Sequence, residues 1–166
     1  EEWRFNDIAP SIGLTDSSAA APGHFFDFDN DGLLDFITVA GGRLQLLHNQ
    51  GKGQMTNVTE ELELPEAPAT SSGSFDVDND GYEDLLIGTP NLETNRVLWN
   101  REGTNFRDIT ITSLGSFLDS PVRIESNDYD ANGHADLLYE TASGSVRWLY
   151  TTGPVGLSLI HISEPT

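Results

Sequence analysis

One acidic nonapeptide occurs three times in the 166-residue chain: DFDNDGLLD from Asp27 to Asp35, DVDNDGYED from Asp76 to Asp84 and DYDANGHAD from Asp128 to Asp136. Successive starts lie 49 and 52 residues apart. A second pattern begins at Phe5, Met55 and Phe106: an apolar residue, a spacer, Asp or Asn, Ile or Val, then Ala or Thr. It precedes the nonapeptide by 22, 21 and 22 residues. A third element, an apolar stretch running into Asn and then Gly, reads LLHNQG at Leu46 to Gly51 and VLWNREG at Val97 to Gly103, with SVRWLYTTG as a weaker third copy. Three patterns in fixed phase define a repeat near fifty residues, in which each unit buries its faces only by stacking on its neighbours.

Within each period the apolar residues come in short clusters closed by Gly, Asn, Asp or Pro. LLDFITVA, RLQLLH, DLLIG, RVLWN, FRDIT, VRIE, DLLYE and SVRWLY are rich in β-branched and aromatic residues, as strands are, and no convincing amphipathic helix intervenes. Four short strands per repeat are the pattern of a β-propeller blade. The first blade is predicted at 23–28, 34–40, 43–48 and 54–59, and the second at 72–77, 83–88, 95–100 and 105–110. The third has 121–127, 135–140 and 145–150, and its fourth strand is missing. Residues 3–8 read as the last strand of a preceding blade, with linkers near 59–72 and 110–121. Propellers close with about four to eight blades. The expectation is therefore an all-β fold, a partial β-propeller of about three four-stranded antiparallel blades over residues 1–156, cut at both ends. The last ten residues, LSLIHISEPT from Leu157 to Thr166, break the repeat and match the translation of a transposase-end sequencing adapter at every position. They are set aside as a processing scar, His161 included.

Charge narrows the function classes. With 27 Asp+Glu against 8 Lys+Arg the formal net charge is -19, so the chain offers neither the basic stripe that displaces counterions from nucleic acid nor the polybasic patch that binds anionic lipid. No apolar run approaches the roughly 18 residues of a bilayer-spanning helix, which predicts no membrane insertion. Such acidity alone suggests disorder, but 37% hydrophobic and 9% aromatic residues, clustered as above, favour folding. The absence of Cys removes disulfides, thiol catalysis and thiolate zinc sites without fixing a compartment.

The nonapeptide has the chemistry of a calcium loop. Calcium takes six to eight oxygen ligands, and Asp at alternate positions points several carboxylates inward while Gly permits the sharp turn. In the first copy Asp27, Asp29 and Asp31 are predicted to give side-chain oxygens, Leu33 its carbonyl and Asp35 a closing carboxylate, around Gly32. The second copy assigns these roles to Asp76, Asp78, Asp80, Tyr82 and Asp84 around Gly81. The third assigns them to Asp128, Asp130, Asn132, His134 through its carbonyl, and Asp136 around Gly133. About three calcium sites follow, the third the weakest because Asn132 replaces a carboxylate. An EF-hand would need an acidic residue at position twelve on a following helix, where Thr38, Ile87 and Tyr139 stand. A solvated hairpin turn is the bland alternative for a single copy. Three phased copies hold eleven of the 27 acidic residues at ligand positions, and carboxylates so gathered repel without a cation.

Other residues carry less chemistry. His24, His48 and His134 lack a second His, Glu or Cys at ligand spacing and are read as surface or turn residues. Trp3, Trp99 and Trp148 are expected to pack between blades, with sugar stacking as the alternative. Arg43, Arg96 and Arg147 head equivalent strands and are read as solvent-facing partners of the acidic surface. Asn57-Val58-Thr59 is a formal glycosylation sequon within a predicted strand. Carboxylate pairs for glycoside hydrolysis are consumed by the loops, and no nucleophile elbow or phosphate loop is present. No catalytic residue is assigned.

The nonapeptides, the blade period and strings such as FNDIAPSIGL and FRDIT resemble the FG-GAP/VCBS repeat proteins, and FNDIAPSIGL is similar to segments of the ASPIC and UnbV type. The resemblance covers residues 3–156. It implies a propeller like that of integrin α chains, with structural calcium and with protein or glycan ligands on loops of the propeller faces. A clear Phe-Gly-Gly-Ala-Pro string is lacking, so integrin-type ligand binding is not carried over. Two functions are expected. The first is a non-catalytic adhesion or interaction segment, joined to the remaining blades of a longer chain, in an extracellular, cell-surface or periplasmic compartment where millimolar calcium fills weak sites. The second is an accessory propeller portion of a larger secreted enzyme, such as a polysaccharide lyase.

Overall fold

The structure, a computed structural model, describes residues 6–7, 9–12, 21–66, 68–89, 95–110, 121–141, 143–151 and 157–163. Their named elements are twelve strands and one short 3-10 turn, Ala9–Ile12. The strands form three four-stranded antiparallel sheets, each in simple chain order. The first holds β1 (Ala21–Phe26), β2 (Asp35–Ala40), β3 (Arg43–Asn49) and β4 (Met55–Asn57). The second holds β5 (Ser71–Phe75), β6 (Asp84–Gly88), β7 (Arg96–Asn100) and β8 (Phe106–Asp108). The third holds β9 (Pro121–Asn127), β10 (Asp136–Thr141), β11 (Val146–Thr151) and β12 (Leu157–Ser163).

Register makes the three sheets superposable in sequence terms. Phe36 pairs with Leu47, Leu85 with Leu98 and Leu137 with Leu149. Alternate residues of each strand therefore face the same neighbour in every blade. Ile37, Val39 and Leu46 of the first sheet meet Leu85, Ile87 and Leu98 of the second in one buried cluster. Leu86 and Val97, on the second sheet's other face, meet Leu137, Tyr139 and Leu149 of the third. Strand β6 is buried along its whole length because both of its faces are covered, which explains why Leu85, Leu86 and Ile87 run on without a polar residue between them rather than alternating. Each Leu or Ile so buried contributes roughly 1.5–3 kcal/mol. The first strands of the blades also converge. A Cβ on Gly73 of β5 would stand 2.5 Å from Ile124 Cγ2 of β9, so only glycine permits that approach.

Strand limits differ from the sequence expectation in an instructive way. Strand β1 ends at Phe26 rather than 28, and β5 ends at Phe75 rather than 77, because the next two residues belong to the acidic turn. The linker at 59–66 also carries core: Leu62 and Leu64 are buried against both sheets. Residues 111–120 lie outside the described residues, as does most of the strand expected at 3–8, of which Asn6 and Asp7 are not in a strand.

One expectation is overturned. The third blade was expected to lack its fourth strand, but Leu157–Ser163 forms β12 and pairs antiparallel with β11, Trp148 opposite Ile160 and Leu149 opposite Leu159. The physical reason is the edge. Without it β11 presents a row of unpaired backbone groups, and LSLIHIS, rich in Leu and Ile, is a segment that can satisfy them whatever its origin.

Candidate metal centres

Each acidic turn joins the first and second strands of its blade, and the same hydrogen bonds shape all three. Asp27 accepts from the backbone N–H of Asp31 at 3.1 Å through Oδ1 and of Gly32 at 2.9 Å through Oδ2. Asp76 does so with Asp80 and Gly81, at 3.1 and 2.9 Å, and Asp128 with Asn132 and Gly133, at 3.0 and 2.9 Å. The chain can wind around its own first carboxylate because position six is a glycine at φ 85°, 92° and 87°, a left-handed backbone that a Cβ disfavours. Position four is also left-handed, at Asn30, Asn79 and Ala131. Asparagine tolerates that conformation well, and alanine does not.

The position-nine carboxylates close the turns from inside. Asp35, Asp84 and Asp136 are fully buried. Asp35 accepts from Phe28 N at 3.1 Å and Asn49 N at 2.7 Å; Asp84 accepts from Val77 N at 2.7 Å and Asn100 N at 2.6 Å; Asp136 accepts from Tyr129 N at 3.0 Å. Each of these residues thus ties its loop to its sheet, and in the first two blades also to the end of the third strand.

The structure brings Asp27, Asp29 and Asp35 together, likewise Asp76, Asp78 and Asp84, and Asp128, Asp130 and Asp136. In every group one oxygen from each residue lies within 4.8 Å of the others. The position-five residues stand outside these triads: Asp31, Asp80 and Asn132 each accept at 2.8 Å from the N–H of Leu33, Tyr82 or His134, which pins the turn. Asp31 instead groups with Asp29 and His48. His48 is not the isolated turn residue expected from spacing: its Nε2 lies 3.3 Å from Asp29 Oδ2, a contact between strand and loop that linear spacing does not reveal. His134, in the third loop, is half-buried, and His24 on β1 is pushed down to about 4 by burial and is neutral at pH 7.

Electrostatics test whether a cation fits. Burial is the main cause that pushes Asp84 up to about 8, with the charges of Asp78 and Asp76 adding to it against two backbone hydrogen bonds. Burial raises Asp78 as well, followed by the charges of Asp80 and Asp76, and burial also raises Asp35. Asp78 Oδ1 is buried, and the donors beside its carboxylate, the Asp80 N–H and the Trp99 indole N–H, offset that burial only in part. Crowded, desolvated carboxylates suit a hard divalent cation, and an all-oxygen set suits calcium over softer metals. Magnesium, which demands compact octahedral geometry and keeps its waters, suits the loops less.

Sequence reasoning assigned no role to Asn49 and Asn100. Their signal was the recurring Asn before Gly at the end of the third strand. Both are wired to the loops through backbone N–H bonds to Asp35 and Asp84, and their side-chain oxygens accept from Gly51 N and Gly103 N. Of the other residues singled out, Trp3 lies outside the described residues, and Trp99 and Trp148 are half-buried. Trp148 stacks edge-on against Tyr129 rather than deep between sheets. Arg96 pairs with Asp108, as a partner of the acidic surface should.

Three four-stranded meanders packed face to face, each with an acidic turn after its first strand, define a partial propeller built from repeated blades. The chain belongs to the FG-GAP-like repeat family, whose model matches residues 27–75 and 76–139, each match beginning on the first Asp of a nonapeptide. Repeats of this family build propeller-like interaction modules. Among solved structures the chain is similar to an Agrocybe aegerita lectin described as recognising non-reducing terminal N-acetylglucosamine, at 16% identity and a TM-score of 0.54. The similarity covers 95% of this chain and 41% of that one, so this chain spans less than half the length of its structural neighbour. No curated protein sequence matches.

Proposed function

We propose that the chain is a calcium-stabilised, non-catalytic propeller segment of an adhesion or interaction protein, working where calcium is millimolar: outside the cell, at its surface or in a periplasm. The single observation that carries the reading is the Asp76–Asp78–Asp84 triad. Its central carboxylate, Asp84, is fully buried and pushed up to about 8, and Asp78 beside it is raised by burial and by the charges of Asp80 and Asp76. Asp76, Asp78 and Asp84 would hold the ion with Asp80 and the Tyr82 carbonyl. The corresponding residues would hold it in the other two loops. Calcium there neutralises the carboxylates, and because the unfolded chain has no such cage, binding stabilises the fold. Protein or glycan ligands would be taken by loops on the propeller faces, and a glycan accords with what the lectin of similar fold recognises.

The test is a thermal melt of the full chain in millimolar calcium and in chelator, paired with calorimetric titration. At a free concentration a hundred times Kd each filled site adds about 2.7 kcal/mol, so the midpoint rises by at least several degrees and calcium binds with measurable heat. Equal midpoints and no heat overturn the reading.

A further inference from the structure

The first two acidic turns are in direct contact across the blade interface, and one residue links them. Asn100 is fully buried at the end of β7. Its backbone N–H donates to Asp84 Oδ1 of the second loop at 2.6 Å, while its side-chain Nδ2 donates to the carbonyl of Phe28 at 2.7 Å and to that of Glu83 at 3.0 Å. Phe28 lies between Asp27 and Asp29 of the first loop, and its own N–H donates to Asp35 at 3.1 Å. A continuous run of short bonds thus leads from the central carboxylate of one triad to that of the other.

Two further contacts run beside it. Asn30 Nδ2 in the first loop donates to the Gly81 carbonyl in the second at 2.9 Å. A Cβ on Gly103, whose N–H Asn100 Oδ1 accepts, would stand 2.7 Å from Asp29 Cα, so the turn after β7 sits against the first loop's backbone. The same link is not repeated between the second and third loops: by strand register Thr151, with no side-chain amide, stands where Asn100 does, and Asn79, which stands where Asn30 does, makes no bond to Gly133 among the described residues.

We propose, building on the calcium reading above, that Asn100 is a positioning residue that couples the first two sites, so that filling the second raises the affinity of the first while the third fills independently. The cation at Asp84 orders the carboxylate to which Asn100 is anchored, and Asn100 then holds the Phe28 carbonyl and with it the spacing of Asp27 and Asp29. Linkage makes the effect reciprocal.

The experiment is a calcium titration of the full chain followed by amide NMR, reading the N–H signals of Gly32, Gly81 and Gly133, one in each loop. In the unaltered chain the Gly32 and Gly81 signals move together. Asp78→Asn, which weakens the second site, is expected to raise the Gly32 midpoint about fivefold or more. Asn100→Ala is expected to do the same and to leave Gly133 in place, whereas a general loosening of the fold would move all three. Should Asn100→Ala not fold, Asn100→Thr, which puts the third blade's own residue at this position and removes the Nδ2 donor to Phe28, carries the test with a shift of the same sign. A Gly32 midpoint unchanged within twofold in Asp78→Asn, or a Gly133 midpoint moving in step with it, overturns the coupling while leaving calcium binding intact. Glycine signals that ignore calcium altogether overturn the calcium reading itself, and the coupling with it.

Discussion

The second and third acidic turns share their length, their glycine and their buried closing aspartate, yet they sit in different surroundings. In the second, Val77 is buried under the following blade, as Phe28 is in the first; the equivalent Tyr129 of the third is 43% exposed. Asp76 and Asp78 are half-buried, whereas Asp128 and Asp130 are exposed. The third turn also puts Ala131 at a left-handed position and Asn132 where the others have Asp. An acidic turn in a stacked repeat is therefore completed by its neighbour: covering the turn raises the electrostatic cost of its carboxylates and so the benefit that a cation would bring.

The largest expected effect comes from removing a closing carboxylate. Asp84→Ala leaves the backbone N–H groups of Val77 and Asn100 buried without a partner, and each costs about 1–3 kcal/mol. Urea denaturation in chelator, with no metal to lose, is expected to show a loss of about 3 kcal/mol. Asp136→Ala is expected to cost less. Equal losses would contradict the contrast between the two turns.

Next in size is a pH effect centred on the second turn. Asp84 is held at about 8 in the folded chain against 3.8 for the free group, so the fold binds its proton more tightly than the unfolded chain does. The stabilisation this proton supplies is present in full below about 4 and is lost as pH rises towards 8. In chelator the melting midpoint of the native chain is expected to fall between pH 5 and pH 8 more steeply than that of Asp84→Asn, which has no such group. Calcium, competing with the proton, is expected to flatten the slope at high pH. A native slope no steeper than the variant's would remove the electrostatic argument for the site.

The smallest effect sharpens the third turn. Asn at Ala131 relieves a left-handed alanine at φ 59°, and Ala131→Asn is expected to stabilise the metal-free chain by roughly 0.5–1 kcal/mol. Asn79→Ala, at the matching position of the second turn, is expected to destabilise it by a similar amount. Equilibrium denaturation of the two variants decides the sign.

Much of this arrangement was legible in the sequence because the repeat fixes it locally. Phased nonapeptides placed the turns, and the apolar clusters together with the repeat period placed eleven of the twelve strands to within a few residues. What the sequence could not display was contact between residues far apart in the chain, within a blade or across two. The pairing of His48 with Asp29 and the bridge from Asn100 to Phe28 join residues 19 and 72 positions apart, with no spacing rule to announce them. Strand β12 was missed for the opposite reason: its residues carry no repeat signal, and its placement follows from the open edge of β11 rather than from any pattern of its own.

The account turns on cations within the acidic triads, and the most direct measurement is a crystal structure of the chain grown in millimolar calcium, with anomalous difference density. It predicts peaks among Asp27, Asp29 and Asp35 and among Asp76, Asp78 and Asp84, with oxygens about 2.3–2.6 Å away, and a weaker peak among Asp128, Asp130 and Asp136. Triads without anomalous density in millimolar calcium, their side chains turned out to solvent, would contradict it.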